Sequence, residues 1–195
     1  MSSSEANHTF ETLYTHLLTF PAPLTQPSKP HSPSIASKIA DLSIHPTLES
    51  ALHLLNHDLP SAHFLVRHMQ SAPAFEGMFL HGILHRIEGD FDNARAWYGN
   101  VAESDVFRFV WKKGGLDAAK GFIGEVETLV KKKEGEREGL ERRSREEIQA
   151  VIEFCRDKFG ERRMVDASDA FVKNDERIQK ISEEQTTGGK GHRHF

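Results

Sequence analysis

The sequence has little cysteine and no long apolar run. Its 195 residues include one cysteine, so neither an internal disulfide nor a zinc site built from cysteines can form. No apolar stretch approaches the ~18 residues that a membrane-spanning helix requires. The first residues lack the basic and apolar segments of a secretion signal. These absences predict an intracellular, cytoplasmic protein with no membrane partner.

The chain also lacks an excess of charge of one sign. It has 25 basic and 29 acidic residues with both signs interspersed, which argues against a nucleic-acid partner. The glycines from Gly188 to Gly191 lack the spacing of a phosphate-binding loop, and there is no nucleophile elbow or dinucleotide-binding glycine pattern. Histidine, in contrast, is abundant, with twelve residues. Since histidine titrates near neutrality, the net charge swings towards positive values below pH 7.

Composition and periodicity predict an all-α protein in four segments. Phe10, Leu13 and Leu17 have helical spacing and predict an amino-terminal helix within 1–19. The next segment, 20–34, is rich in proline and serine and predicts an extended or mobile linker, so that the first helix docks loosely. A helical domain spans 35–160, and the polar segment 161–195 predicts a flexible tail.

The region 46–102 predicts two helical hairpins. In the first, Pro46 suits an initial helical turn, and the turn around Asp58 leads into a second helix. In the second, a helix from Ala74 to Glu88 ends at Gly89, and Asp90 can cap the helix that follows. The pair His53 and His57 of the first hairpin echoes the pair His81 and His85 of the second. Such repetition indicates stacked hairpins.

Four further segments follow the hairpins. The apolar run from Val106 to Trp111 is assigned to a helix because its neighbours are helical. Phe122, Val126 and Leu129 predict an amphipathic helix. The segment from Lys131 to Glu147 has seven basic and six acidic residues, and we expect it to bury almost nothing. An apolar stripe from Ile148 to Phe159 then completes the domain before Gly160.

The second hairpin resembles a tetratricopeptide repeat over about residues 74–104. Gly82 and Ala94 occupy the positions where that family keeps small residues so that its two helices approach closely. Gly89 matches its turn, and Trp97 and Tyr98 match its large aromatic position. The resemblance implies that these five residues are structural. The sequence segment from His81 to Tyr98 is also similar to a segment in small helical proteins of bacteria and fungi. This resemblance implies no activity.

A histidine cluster is the candidate metal site. His81, His85 and Glu88 lie at offsets of zero, four and seven, so one helical face presents them together. If the hairpins stack, His53 and His57 could add two more imidazoles. These ligand types suit a divalent transition metal such as zinc, iron, nickel or copper, and they also suit acid–base catalysis. Alternatively the histidines are structural and hydrogen-bond Asn93, Trp97 or a carbonyl, or they make packing respond to pH.

A second candidate site lies on the other stripe of the same helix. The resemblance implies that Phe79, Ile83, Arg86 and Ile87 face a concave groove in which Arg86 binds a protein or peptide carboxylate. The alternative is an ion pair between Arg86 and a nearby acid, Glu88, Asp90 or Asp92.

Other polar and aromatic groups are assigned structural roles. The aromatic residues Trp97, Tyr98, Phe107, Phe109 and Trp111 have the helical spacing of core residues rather than of a stacking platform for bases. The basic runs at 131–133 and 142–145 alternate with acids and indicate a solvated helix. Cys155 lies inside an apolar stripe and is expected to be a buried, unreactive thiol.

Two functions remain open from the sequence. The first is a non-enzymatic protein or peptide interaction module that uses the groove around Arg86. The second is a metal-dependent or acid–base enzyme that uses His81, His85 and Glu88, with His53 and His57 as further ligands. Whether the protein is an enzyme is therefore undecided at this stage.

Overall fold

The computed structural model of the chain describes residues 8–173, and within that range it is all-α, as predicted. Residues 1–7 and 174–195, which include most of the predicted tail and the glycines at 188–191, lie outside the described residues. None of the described helices is both long enough and apolar enough to cross a membrane. The helices are α1 (Phe10–Leu17), α2 (Pro33–Asp41), α3 (Pro46–Leu55), α4 (Leu59–Val66), α5 (Phe75–Glu88), α6 (Phe91–Val101), α7 (Asp105–Val110), α8 (Gly115–Lys132) and α9 (Arg137–Phe159).

The helix boundaries follow local signals in the sequence. Pro46 is the first residue of α3, where its missing amide proton leaves no helical hydrogen bond unmade. The side chain of Asp58 accepts from the backbone amide of Ser61 and caps α4. Gly89 ends α5 with φ of 84°, a left-handed conformation that glycine adopts without a steric penalty. The helix predicted around Val106 is confirmed as α7.

The predicted hairpins are formed by α3 with α4 and by α5 with α6, and α4 packs against α5 between them. Close contact within the second hairpin depends on Gly82, which faces Trp97 and Tyr98. A Cβ atom placed on Gly82 would lie 2.8 Å from Cδ1 of Tyr98 and 3.0 Å from Cβ of Trp97. Ala94 is also fully buried on α6. The two helices therefore approach more closely at residue 82 than any larger side chain permits.

The last helices cover one side of the hairpins, and this corrects the expectation for residues 131–147. Leu140, Ser144 and Glu147 are buried on α9. They are spaced by four and three residues, so they lie on one face of the helix and continue into the apolar stripe at Val151. The charged composition of this segment predicted full exposure, but one face of the helix is buried and includes the carboxylate of Glu147.

The amino-terminal segments are also more firmly attached than predicted. Phe10, Leu13 and Leu17 of α1 belong to the core that the other helices share. Residues 18–32, here called the strap, contain no helix, yet Ala22 and Leu24 are buried. The prolines prevent helix formation, as expected, but they do not leave the strap detached, because polar side chains of α9 hold its backbone.

Candidate functional site

Three histidines meet between α4 and α5. His63 lies on α4, and His81 and His85 lie one turn apart on α5. One ring nitrogen from each of the three lies within 4.8 Å of the others. The closest approach is 3.0 Å, between Nε2 of His63 and Nε2 of His81. We call these three residues the histidine cluster.

Local packing of α4 and α5 determines the position of the cluster. Asp58 fixes the start of α4 and thereby the turn that carries His63. After α4 the chain passes tightly over α5 at Gly77, where an added Cβ would lie 2.3 Å from Cβ of Met69. This close passage brings Gln70 to His81, with 3.2 Å between Nε2 of Gln70 and Nδ1 of His81.

One assignment of tautomers satisfies the polar contacts of the cluster. Gln70 donates from its amide to Nδ1 of His81. Neutral His81 then carries its proton on Nε2 and donates it to Nε2 of His63. His63 in turn carries its proton on Nδ1, which lies 3.4 Å from a carboxylate oxygen of Glu88. The result is a chain of donors that runs from Gln70 through the buried His81 and through His63 to Glu88.

Glu88 and Asp90 supply the negative charge next to the cluster. The Nδ1 atom of His85 lies 3.6 Å from Glu88 and 3.8 Å from Asp90. Glu88 is therefore shared by His63 and His85. Carboxylates in this position orient imidazole rings and raise their basicity as ligands.

Burial differs among the three histidines. His81 is only 4% exposed, whereas the side chains of His63 and His85 are 22% and 13% exposed. Burial holds the pKa of His81 well below its usual value, and the neighbouring His85, His63 and Arg67 lower it further. His81 also packs against the ring of Trp97, with 4.6 Å between ring centroids. The inner histidine is thus neutral at pH 7, the form that binds metals.

His53 and His57, the two predicted additional ligands, have other contacts. Nδ1 of His53 lies 3.3 Å from Asp58, and Nε2 lies 3.8 Å from Glu49. Nε2 of His57 contacts the carbonyl of Pro21 at 3.0 Å. The structure therefore brings together His81, His85 and Glu88 of the predicted set, and it does not place His53 or His57 among them.

The sequence-based prediction did not include His63. The echo between the hairpins suggested that the first helix of each hairpin supplies the imidazoles. In the structure α5 packs against α4, the second helix of the preceding hairpin. Consecutive helices joined by a short connection usually pack side by side, and this rule would have pointed to His63.

The chain matches no known family or structure by comparison. A scan against protein-family models, a search of curated proteins and a search of solved structures found no match. The histidine cluster must therefore be interpreted from its own geometry.

The second predicted site, the groove around Arg86, is not open. Arg86 is fully buried, and so are Phe79, Ile83 and Ile87. The Arg86 guanidinium lies 4.8 Å from the ring of Phe122 on α8, and the ring of Phe79 lies 5.2 Å from that of Phe107 on α7. The predicted surface groove is therefore part of the protein interior. Arg86 also does not pair with Glu88, Asp90 or Asp92, because its carboxylate partner is Glu147.

Glu147 organises a buried polar network. One of its oxygens accepts from Arg86 at 2.8 Å, and the other accepts from the hydroxyl of Tyr98 at 2.8 Å and from the indole of Trp111 at 3.1 Å. Arg86 also donates to Ser144 at 3.1 Å. Burial, followed by the nearby Glu147 carboxylate, raises the pKa of Tyr98 well above its usual value, so the phenol remains a donor. Nε and Nη1 of Arg86 have no hydrogen-bond partner among the described residues.

Proposed function

We propose that this protein binds a divalent transition-metal ion at His63, His81 and His85. The observation that carries the proposal is the convergence of three ring nitrogens within 4.8 Å of one another on two packed helices. Imidazole suits zinc, copper, nickel and iron, and the cluster contains no thiolate that would favour softer metals. Zinc is the simplest occupant because it accepts tetrahedral nitrogen ligands.

The spacing of the nitrogens is close to that of a metal-bound set. Zinc–nitrogen bonds of about 2.0–2.1 Å at tetrahedral angles place ligand nitrogens about 3.3 Å apart. His63 and His81 already have Nε2 atoms 3.0 Å apart. The widest separation in the cluster, 4.8 Å, must shorten by about 1.5 Å, which rotation of the partly exposed His85 ring can supply.

The proposed site has three protein ligands, so one coordination position of the ion remains open to exchangeable molecules. Glu88 lies beside Nδ1 of His63, so Nε2 of His63 would bind the ion once the proton of His81 moves from Nε2 to Nδ1 and the Gln70 side chain turns its amide oxygen to accept it. Three histidines then leave a fourth tetrahedral position for water, an arrangement found in catalytic zinc sites. We therefore favour metal-dependent chemistry with a bound water molecule over a purely structural ion.

Metal binding can be tested directly on the full-length chain. Cobalt(II) and zinc(II) would be titrated into protein in which His192 and His194 are replaced by glutamine, so that the terminal histidines do not contribute. We expect one ion per chain and the visible absorption of tetrahedral cobalt. His63→Gln and His85→Gln should each abolish both signals.

The matched control is His68→Gln. His68 follows α4 and is exposed, and it lies outside the cluster. This variant should bind cobalt as the parent does. Equal binding by the parent, His63→Gln and His85→Gln would refute the proposed site.

A second candidate is acid–base chemistry by the same residues. The observation that favours it is the donor chain from Gln70 through His81 and His63 to Glu88. Such a chain can move a proton without a metal. A folded protein that binds no ion in the cobalt titration would exclude the metal proposal and leave this alternative standing.

We also propose that the α5–α6 hairpin is a divergent tetratricopeptide-like repeat in an intracellular protein. The tight contact of Gly82 with α6 and the left-handed Gly89 support the first part. The single cysteine, which suits a reducing compartment, supports the second.

A further inference from the structure

The short connection between α4 and α5 holds Gln70 beside the histidine cluster. Met69, the preceding residue, is buried, and a Cβ placed on Gly77 would lie 3.0 Å from the carbonyl oxygen of Met69. The hydroxyl of Thr47 donates to the sulfur of Met69 at 3.5 Å. These contacts fix the backbone next to Gln70, whose side chain reaches Nδ1 of His81 at 3.2 Å.

The empty cluster has a proton where the ion would bind. Gln70 donates to Nδ1 of His81, so the single proton of this neutral ring lies on Nε2 and points at Nε2 of His63. An ion can bind both Nε2 atoms only after this proton has left, because a ligand nitrogen must offer its lone pair to the metal. The donating amide of Gln70 therefore stabilises the closed, empty form of the cluster.

A glutamine side chain can also stabilise the ion-bound form. When the proton of His81 leaves Nε2 and another is taken up at Nδ1, the ring stays neutral and Nδ1 becomes a donor. A half turn of the terminal amide of Gln70 then places its oxygen where its nitrogen was. The contact with His81 is kept, and the direction of the hydrogen bond is reversed. Histidine ligands usually have an acceptor of this kind on their second nitrogen.

Other side chains at position 70 would stabilise one of these forms or neither. A glutamate carboxylate only accepts, so it would favour the proton on Nδ1 of His81 and disfavour the closed form. A methionine has a similar length but no strong donor or acceptor. It would leave the Nδ1 proton of ion-bound His81 buried without a partner, which is destabilising.

We propose that Gln70 is a positioning residue that sets the metal affinity of His63, His81 and His85 by stabilising both the closed, empty cluster and the ion-bound cluster. This inference rests on the proposed function. It identifies the amide of Gln70, rather than a ligand, as the group that keeps the affinity moderate. Substitutions at Gln70 therefore change the affinity in opposite directions, depending on whether the new side chain accepts a hydrogen bond.

Cobalt titration of full-length variants tests the effect on affinity at about pH 8, where histidine is neutral. His192 and His194 are replaced by glutamine throughout. Gln70→Glu should bind cobalt about tenfold more tightly than the parent, and Gln70→Met about tenfold more weakly, since partners of ligating histidines typically have effects of this size. Either substitution alone suffices for the test if the other loses helix content by circular dichroism.

Arg67→Gln is the matched control for charge. Arg67 is exposed and its charge lowers the pKa of His81, so its replacement changes the local charge by the same amount as Gln70→Glu. The hydrogen bond between Gln70 and His81 is left in place. Cobalt affinity should change by less than about threefold in this variant, because salt screens exposed charges.

NMR of the histidine ring nitrogens in metal-free protein reads the tautomer of His81 without any metal binding. The proton should lie on Nε2 in the parent and in Arg67→Gln, and on Nδ1 in Gln70→Glu. A proton on Nδ1 in the parent would overturn the inference, and so would equal cobalt affinities of the parent and the Gln70 variants. The expected tautomers without cobalt binding in any variant would instead refute the proposed function, and the claim about affinity with it.

Discussion

Arg86 of α5 donates to Glu147 of α9 at 2.8 Å, and both side chains are buried. The contact joins two residues that are 61 positions apart in the chain. It holds the carboxylate to which Tyr98 and Trp111 also donate. The pair therefore fixes where α9 lies against the second hairpin.

Glu147→Gln should destabilise the protein strongly, because it leaves the Arg86 guanidinium buried without a counter-charge. We expect a loss of about 3–5 kcal/mol in the free energy of unfolding, measured by urea denaturation. The control is Glu127→Gln. Glu127 pairs with Arg95 where both side chains are partly exposed, and its loss should change the free energy by less than about 1 kcal/mol. Similar losses in the two variants would contradict the assigned role of Glu147.

Gly82→Ala should separate the helices of the second hairpin. The new methyl group would lie 2.8 Å from a ring carbon of Tyr98, and we expect a loss of about 1–3 kcal/mol. The matched control is Gly99→Ala on α6. Apart from the adjacent residues and backbone of its own helix, no atom lies within 4 Å of a Cβ placed there, so alanine should stabilise the helix by about 1 kcal/mol. The opposite signs of the two changes can be measured by thermal unfolding, and a neutral Gly82→Ala would refute the close contact.

Glu88→Gln should weaken the proposed metal site without unfolding the protein. Glu88 contacts Nδ1 of both His63 and His85, so an uncharged amide would reduce ring basicity and orientation. Loss of such a carboxylate typically lowers metal affinity about 10–100-fold. Cobalt titration measures the change. Asp92→Asn is the control, because Asp92 has a fully exposed side chain on the neighbouring helix and should retain parental affinity.

Stability should fall as the pH drops from about 6.5 towards 4. Burial lowers the pKa of both His45 and His57 to about 4, with Lys158 adding to the effect at His45 and His31 at His57. Between these pKa values and the unfolded value of about 6.5, the unfolded chain binds more protons than the folded chain, so acid favours unfolding. We expect a loss on the order of 1 kcal/mol per histidine at pH 5, allowing for partial exposure of both rings.

A single substitution checks the contribution of His45. Its Nδ1 atom accepts from the backbone amide of Thr47 at the start of α3, and asparagine can provide a similar acceptor without titrating. His45→Asn should therefore reduce the dependence of the unfolding free energy on pH between 5 and 7. An unchanged pH dependence would show that the pKa of His45 is the same in the folded and unfolded chains, which would contradict the lowered value.

The sequence predicted elements that depend on local signals. Gly89 marked the end of α5, and the offsets of His81, His85 and Glu88 placed these side chains together. His63 could not be found in the same way, because its position depends on which helix packs against α5. The spacing that joins two members of the cluster is local, whereas the third member is set by tertiary contact.

The structure differs from the prediction at two further places, Glu147 and the strap, and both differences also arise from tertiary contacts. Glu147 lies in a segment whose composition is typical of a solvated helix, and only the periodic spacing with Leu140, Ser144 and Val151 indicates a buried face. The strap has the composition of a free linker. Its attachment depends on Arg145 and Ser144, more than 100 residues away in the chain, and no local pattern within the strap indicates such partners.

The interior position of Cys155 makes the folded chain suitable for site-specific probes. Its thiol is 1% exposed, and burial raises its pKa well above the usual value, which suppresses the reactive thiolate. Maleimide reagents should therefore leave the native protein unlabelled. A cysteine introduced at Thr25 of the strap would become the single labelling position, so a fluorophore could report release of this segment while the natural sulfhydryl stays silent.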